Sequence, residues 1–207
     1  MKYITFTFDD GLIKTATLVK SLNVSATFYI VLGWILQEIK ITDSFNFNLD
    51  HGTIQEWNNI ELDIGCHTYD HNIKFNELLS FKKFSKFFNA PKNLATPYGI
   101  DYKVNFYDSC KVGFYKPYNL FSSSSLKKLC SINPNYDFKN NMKELELIIS
   151  NCPDEHWIIF TFHGINEGWY PVEYKELEFW KNFFLARNFT FISITNGVKK
   201  LCKKYLL

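Results

Sequence analysis

Arginine is nearly absent: Arg187 stands alone against 22 lysines in a chain of 207 residues. A protein that grips phosphate or nucleic acid through guanidinium forks usually carries more. The net charge of +2 implies no polyanionic partner either, so no nucleic-acid partner is expected. Long apolar runs are also missing. The longest, FYIVLGWIL at 28–36, is too short to span a bilayer, and no signal-peptide pattern precedes YITFTFD. These absences point to the cytoplasm and to no transmembrane segment. CxxC spacing is absent too. The cysteines (Cys66, Cys110, Cys130, Cys152 and Cys202) are odd in number, which favours free thiols in a reducing compartment over a disulfide framework. Linkers, low-complexity tracts and repeats are missing, and the serines at 122–125 read as a local loop or helix cap.

What is present is a large aromatic core. Hydrophobic residues make up 46% of the chain, including 21 phenylalanines and 12 tyrosines, enough for one compact domain over residues 1–207. Short β-type runs read as strands at 3–9, 26–32, 61–67, 93–98, 111–118, 157–163 and 189–194. Helical patterns fall at 12–22, 76–88, 140–150 and 172–187, the last preceded by Pro171. Buried strands alternating with helices imply an α/β fold with a mainly parallel sheet. In a barrel of this kind, chemistry gathers at the C-terminal strand ends. Those ends carry Asp9 and Asp10, then His67, then Pro97 and Tyr98, then His163.

The adjacent carboxylates of TFTFDDGL (5–12) need a positive partner if they leave water. GCHTYDHN (65–72) offers one, since His67 and His71 are four apart. On a helical turn, residues i and i+4 share a face, so both imidazoles would reach one ion. Two imidazoles and one carboxylate form a common ligand set for a catalytic divalent metal. The second aspartate would then accept a proton from water. Plainer readings fit each piece alone: surface or capping histidines, and a helix N-cap at Asp9-Asp10-Gly11. His51 and His156 fall away from the predicted rim and receive no role.

Taken in order, TFDDG (7–11), HTYDH (67–71), TPYG (96–99) and FTFHG (160–164) resemble the motifs of the polysaccharide deacetylase family, the NodB-homology or family 4 carbohydrate esterases. The resemblance runs from about residue 4 to the C-terminus. It implies a distorted, incomplete (β/α) barrel and a metal-dependent hydrolase that removes N-acetyl groups from a carbohydrate or glycoconjugate. It implies Asp9 as general base, and Asp10, His67 and His71 as ligands of a divalent ion, usually Zn2+. It further implies an oxyanion-binding backbone N–H at Tyr98 and a general acid at His163, whose charge a nearby carboxylate should hold. The implied substrates are an N-acetylated sugar, a nucleotide sugar, a lipid-linked sugar or an oligosaccharide. Trp169 and Pro97 are candidate sugar contacts, with loop packing the alternative for Trp169.

The chain departs from the family pattern in two places. Ala95 stands where many members carry an arginine that orients the base. The Asp-x-x-Trp-type motif is not recognisable near KVGFYKPYN (111–119). Something other than Arg187, which falls in the last predicted helix, must then orient Asp9. Rival readings are hydrolysis of another amide on the same scaffold (deformylation or cyclic-amide opening) and a non-catalytic sugar-binding domain. Cys66 is not expected to ligate metal, because strand neighbours point to opposite faces. Trp34 and Trp57 read as packing for the long 33–60 connection, which is expected to cover the pocket or hold a hairpin. Tyr69 and Asp70 read as solvent-exposed, and Asn166 and Glu167 as a plain polar loop.

Overall fold

Alternate side chains of a strand point to opposite faces, and YITFTF is apolar or hydroxylic on both. The computed structural model describes residues 1–42, 46, 48–88, 93–120 and 123–205; Asp43 and Ser122 lie outside the described residues, as does the Cys202 side chain. Its strands are β1 (Lys2–Phe8), β2 (Ala26–Ile30), β3 (Asp63–Cys66), β4 (Asn93–Ala95), β5 (Ser109–Val112), β6 (Asn119–Leu120), β7 (Leu129–Cys130), β8 (His156–Phe162) and β9 (Phe189–Phe191). They run in the order β6-β8-β1-β2-β3-β4-β5-β7, with β9 beside the start of β1. Among the described residues only the β6–β8 pair is antiparallel.

Beyond β7, Ile132 bridges Phe160 of β8. The Ile132 N–H donates to Ile159 O at 2.9 Å, and its carbonyl accepts from Thr161 N–H at 2.7 Å. These bonds nearly close the sheet into the expected single-domain barrel. Tyr3, Tyr29, Ala95, Leu129, Trp157 and Ile159 pack together on the inner face. Ile4, Phe6, Phe8, Phe28, Phe160 and Phe162 form part of a second cluster facing the helices.

The helices are α1 (Ile13–Ser21), α2 (Leu32–Ile35), α3 (Ile54–Asn59), α4 (Glu77–Phe87), α5 (Pro134–Asp137), α6 (Met142–Ser150), α7 (Tyr174–Leu185) and α8 (Ile194–Tyr205). α7 buries Leu177, Trp180 and Phe184, and the last two pack against Phe160 with ring centroids 5.2 and 5.1 Å away. α8 docks on the N-terminal strand ends. Ile194, Val198 and Leu201 enter the inner cluster, while Ile194 N–H donates to Thr27 and Thr195 N–H to Asp63. That end is therefore plugged, and the opposite end is left for chemistry. No described helix is long and apolar enough to cross a membrane.

Several predicted boundaries shift. The strand expected at 111–118 is β5, which begins at Ser109 and ends at Val112. The strand expected at 189–194 ends at Phe191, where the chain turns into α8. α7 starts at Tyr174, three residues after Pro171. The 33–60 connection contains α3, fixed by a Thr53–Glu56 capping box, and no hairpin among the described residues.

Candidate active site

Strand parity decides which side chains enter the barrel mouth. Thr5 and Thr7 are followed by Asp9 on β1, Trp157, Ile159 and Thr161 by His163 on β8, Gly65 by His67 on β3, and Ser109 by Lys111 on β5. Asp9, His67, Lys111 and His163 therefore converge at the C-terminal rim. They line a cleft of about 640 Å³ with Asp10, Asn46, His71, Tyr98, Asp137 and Trp169 among its other walls.

After β1 the chain turns through two left-handed residues, Asp10 and Gly11, both at φ 68°. A Cβ at Gly11 would lie 2.7 Å from Ile30 Cγ2 and 3.0 Å from Ile30 Cα, so glycine is required there. Asp10 holds the same conformation with support: its carbonyl accepts from His51 Nδ1–H at 2.9 Å. His51 is fixed in turn by Trp57, whose indole N–H donates to the His51 carbonyl at 2.7 Å. Sequence reasoning gave His51 no role, and Trp57 only one of packing.

The two histidines meet without a helix. Residues 67–72 form a loop in which Thr68 (φ 64°) and His71 (φ 52°) are left-handed, which corrects the helical-turn expectation. The loop brings the imidazoles to a centroid distance of 4.9 Å. His67 Nδ1–H donates to Ala95 O at 2.9 Å, so the Nε2 of the neutral ring bears a lone pair. His67 Nε2 sits 3.5 Å from Asp10 Oδ1, and His71 Nε2 sits 3.4 Å from the same oxygen. Asp10 Oδ2 accepts from Asn46 Nδ2 at 3.0 Å, whereas Oδ1 is buried without a hydrogen-bond partner. Acceptors pressed together in a buried site repel unless a cation lies between them. Ligand atoms of Asp10, His67 and His71 all lie within 4.8 Å of one another, so the residues fit a divalent ion. Trp34 braces His71 and His51, with centroids 5.0 Å from each.

Asp9 has a different partner. Lys111 Nζ donates to Asp9 Oδ2 at 2.8 Å and to Thr161 Oγ1 at 3.0 Å. The ion pair is buried, with the side chains 4% and 8% exposed. Burial pushes the Asp9 carboxyl up, but Lys111, His67 and His163 outweigh it and hold the group below its ordinary value. Asp9 Oδ1, like Asp10 Oδ1, is buried without a hydrogen-bond partner. Lys111 is the residue the sequence reading missed, although it opens the KVGFYKPYN segment. Arg187 is elsewhere, bonded to Ser150 and stacked on Phe183.

His163 enters the cleft with its ring edge-on to Trp169, centroids 4.8 Å apart. Its Nδ1 is buried without a hydrogen-bond partner, and the carboxylates that act on its charge are those of Asp10 and Asp9. Burial pushes the imidazole below its ordinary value, against the pull of Asp10 and Asp9. Tyr98 is left-handed (φ 58°) and exposed, its ring 5.2 Å from that of His71. Trp169 also packs on Tyr136 at 5.2 Å. Pro97 is buried and does not line the cleft. Tyr69 is buried, bonded through its hydroxyl to Glu38, rather than exposed. Glu167 accepts from Thr15 at 3.0 Å and so pins its loop to α1. Cys66 is buried, with burial pushing its thiol up to about 12, and it makes no part of the triad.

The buried triad makes metal-free stability depend on pH. Burial lowers His67 from 6.5 to about 4. Between those values the unfolded chain binds a proton that folded His67 refuses, so stability is full above pH 6.5 and falls as pH drops toward 4. The loss from this group is expected to be roughly 3 kcal/mol at most. Thermal melts of chelated protein across that window test it: a flat profile, or an equal slope in His67→Asn, would contradict it.

The polysaccharide deacetylase family profile matches residues 1–99, the segment that carries Asp9, Asp10, His67, His71 and Tyr98. No curated protein matches the chain by sequence. Solved structures resemble it over nearly the whole length. The Xyl-CE4 domain of a multidomain xylanase from the hindgut metagenome of Trinervitermes trinervoides is 14% identical with a TM-score of 0.55, covering 96% of this chain and 90% of that one. The peptidoglycan deacetylase PdaC from Bacillus subtilis is 14% identical with a TM-score of 0.52, covering 98% and 92%. A presumed polysaccharide deacetylase from Mycobacterium smegmatis is 10% identical with a TM-score of 0.61, covering 98% and 91%. Identities this low speak for the fold alone. The profile match over residues 1–99 and the shared fold support a NodB-homology domain similar to the polysaccharide deacetylases, with Ala95 at the position before Thr96 and Pro97 where many members carry an arginine.

Proposed function

We propose that residues 1–207 form a metal-dependent hydrolase that removes acetyl groups from an N-acetylated carbohydrate. One observation carries the reading: each adjacent aspartate has one oxygen tethered and the other buried and bare, Asp10 Oδ1 toward two imidazoles and Asp9 Oδ1 beside them. A sugar-binding domain needs no such bare carboxylate oxygen.

Asp10, His67 and His71 would hold the ion, with zinc suited to an N2O donor set. When bound, it supplies Lewis acidity toward the acyl carbonyl and the attacking water. Asp9 Oδ1 takes the proton from that water as its oxygen bonds to the carbonyl carbon. The Tyr98 backbone N–H stabilises the negative oxygen, an interaction worth on the order of a hundredfold or more in rate. The C–N bond then breaks as His163 gives a proton to the departing nitrogen, leaving acetate and a free amine. Burial weakens the hold of His163 on a proton, so the imidazole takes one up from solvent for this step, with the Asp10 and Asp9 carboxylates favouring the charged form. The proton on Asp9 and that of the nascent acetic acid then pass to solvent, which returns both residues to their starting state.

Of the candidate substrates, an uncharged oligosaccharide fits best. Among the described residues of the cleft, the single lysine is Lys111, already bound to Asp9, so a nucleotide sugar's diphosphate would find no free ammonium. Trp169, Tyr136, Tyr98 and Tyr115 offer ring faces suited to sugar instead. The four described cysteines are free and buried, which supports a reducing, cytoplasmic setting.

The test is acetate release by zinc-loaded protein from N-acetylglucosamine oligomers and from a nucleotide sugar. Acetate from the oligomers, with less from the nucleotide sugar, is expected. Formate or a ring-opened product from other amides, with no acetate from any sugar, would transfer the site to a different amide hydrolysis.

A further inference from the structure

We propose that Lys111 is the positioning residue of Asp9, which fixes Oδ2 and leaves Oδ1 as the one oxygen free to accept a proton. This role presupposes the hydrolase reading above. Proton directions around the ammonium are determined. Thr7 Oγ1–H donates to Phe160 O at 2.9 Å, so the hydroxyl proton of Thr161, 3.1 Å away, goes to Thr7 Oγ1. Thr161 Oγ1 is then left as an acceptor for Lys111, at 3.0 Å. The face of Tyr29 lies 5.3 Å from the ammonium and limits it on another side. A flexible lysine is thus held by a carboxylate, a hydroxyl chain ending on a backbone carbonyl, and an aromatic ring.

The register explains how a lysine from β5 comes to serve here. Lys111 is the direct cross-strand partner of Ala95 on β4, and both side chains face the barrel interior. Alanine at 95 leaves room for the lysine beside it. The cation has moved one strand across the sheet at the same level of the barrel, which accounts for the missing arginine and the unrecognisable fourth motif together. An ammonium makes one strong bond to the carboxylate rather than a fork, so the hydroxyl chain supplies the remaining restraint.

The test uses zinc-loaded full-length protein with an N-acetylglucosamine oligomer as substrate, comparing Lys111→Met, Lys111→Arg and the double variant Ala95→Arg/Lys111→Ala. Lys111→Met is expected to lower kcat about 100-fold with KM and zinc content essentially unchanged. The double variant, which returns a cation from β4, should recover at least about tenfold of that loss, and Lys111→Arg should fall between them. Wild-type-like kcat in Lys111→Met would overturn the proposal and leave the hydrolase reading intact. If Lys111→Met does not fold, the double variant decides: folded and active supports the role, folded and inactive overturns it. Wild-type protein that releases no acetate would overturn both.

Discussion

Asp9→Asn is expected to lower kcat for acetate release by about a thousandfold while the protein keeps its metal. The amide oxygen can still accept from Lys111, so the side chain stays in place, but the oxygen at the Oδ1 position becomes an NH2 group that takes no proton. The ligands Asp10, His67 and His71 are untouched, so metal content measured by elemental analysis should remain at the wild-type level. The melting temperature should fall, because a neutral partner leaves the buried Lys111 ammonium uncompensated, an imbalance of about 3–5 kcal/mol in comparable buried pairs. Unchanged turnover in Asp9→Asn would remove Asp9 from the base role, whatever its contact with Lys111.

The second large effect concerns the triad. His67→Ala removes one of three ligand atoms and also strips the Ala95 carbonyl of its donor. Metal affinity is expected to fall by at least about 100-fold, and activity should return only with metal added in excess. Chelation of the wild-type protein should abolish turnover, with zinc restoring it in proportion to the ion bound. Competition titration with a chromogenic chelator measures the first effect, and activity against bound metal the second. Full activity in chelated protein would dismiss the metal from the reaction.

Much of this was legible in the sequence because strand alternation carries it. Once YITFTFDD reads as a strand, Asp9 must share a face with Thr5 and Thr7, and the same count places His163 with Trp157, Ile159 and Thr161. The parallel sheet and the rim followed from those counts. The histidine pair was recognised by spacing but on the wrong backbone, because left-handed turns at Thr68 and His71 leave no periodic trace. Two-residue strands such as β6 and β7 carry no period either, and the 3,4-spaced apolar face of α8 was obscured by its lysines. Lys111 was hidden for another reason. A lysine reads as a surface residue unless its strand is known to be buried, and the SCKV segment is short. Its signal lay in Cys110 and Val112, whose burial forces Lys111 to the opposite, inner face. Asn46 and His51 could not be found by local pattern at all, since they reach Asp10 across 36 and 41 residues.

The central claim, that Asp10, His67 and His71 grip one cation beside the bare oxygen of Asp9, is tested most directly by anomalous X-ray diffraction at the zinc edge from crystals of the zinc-loaded protein. A single strong peak about 2.0–2.2 Å from Asp10 Oδ1, His67 Nε2 and His71 Nε2 is the predicted result. A fully loaded crystal with no peak within reach of those three atoms, or with its peak on other residues, would contradict it.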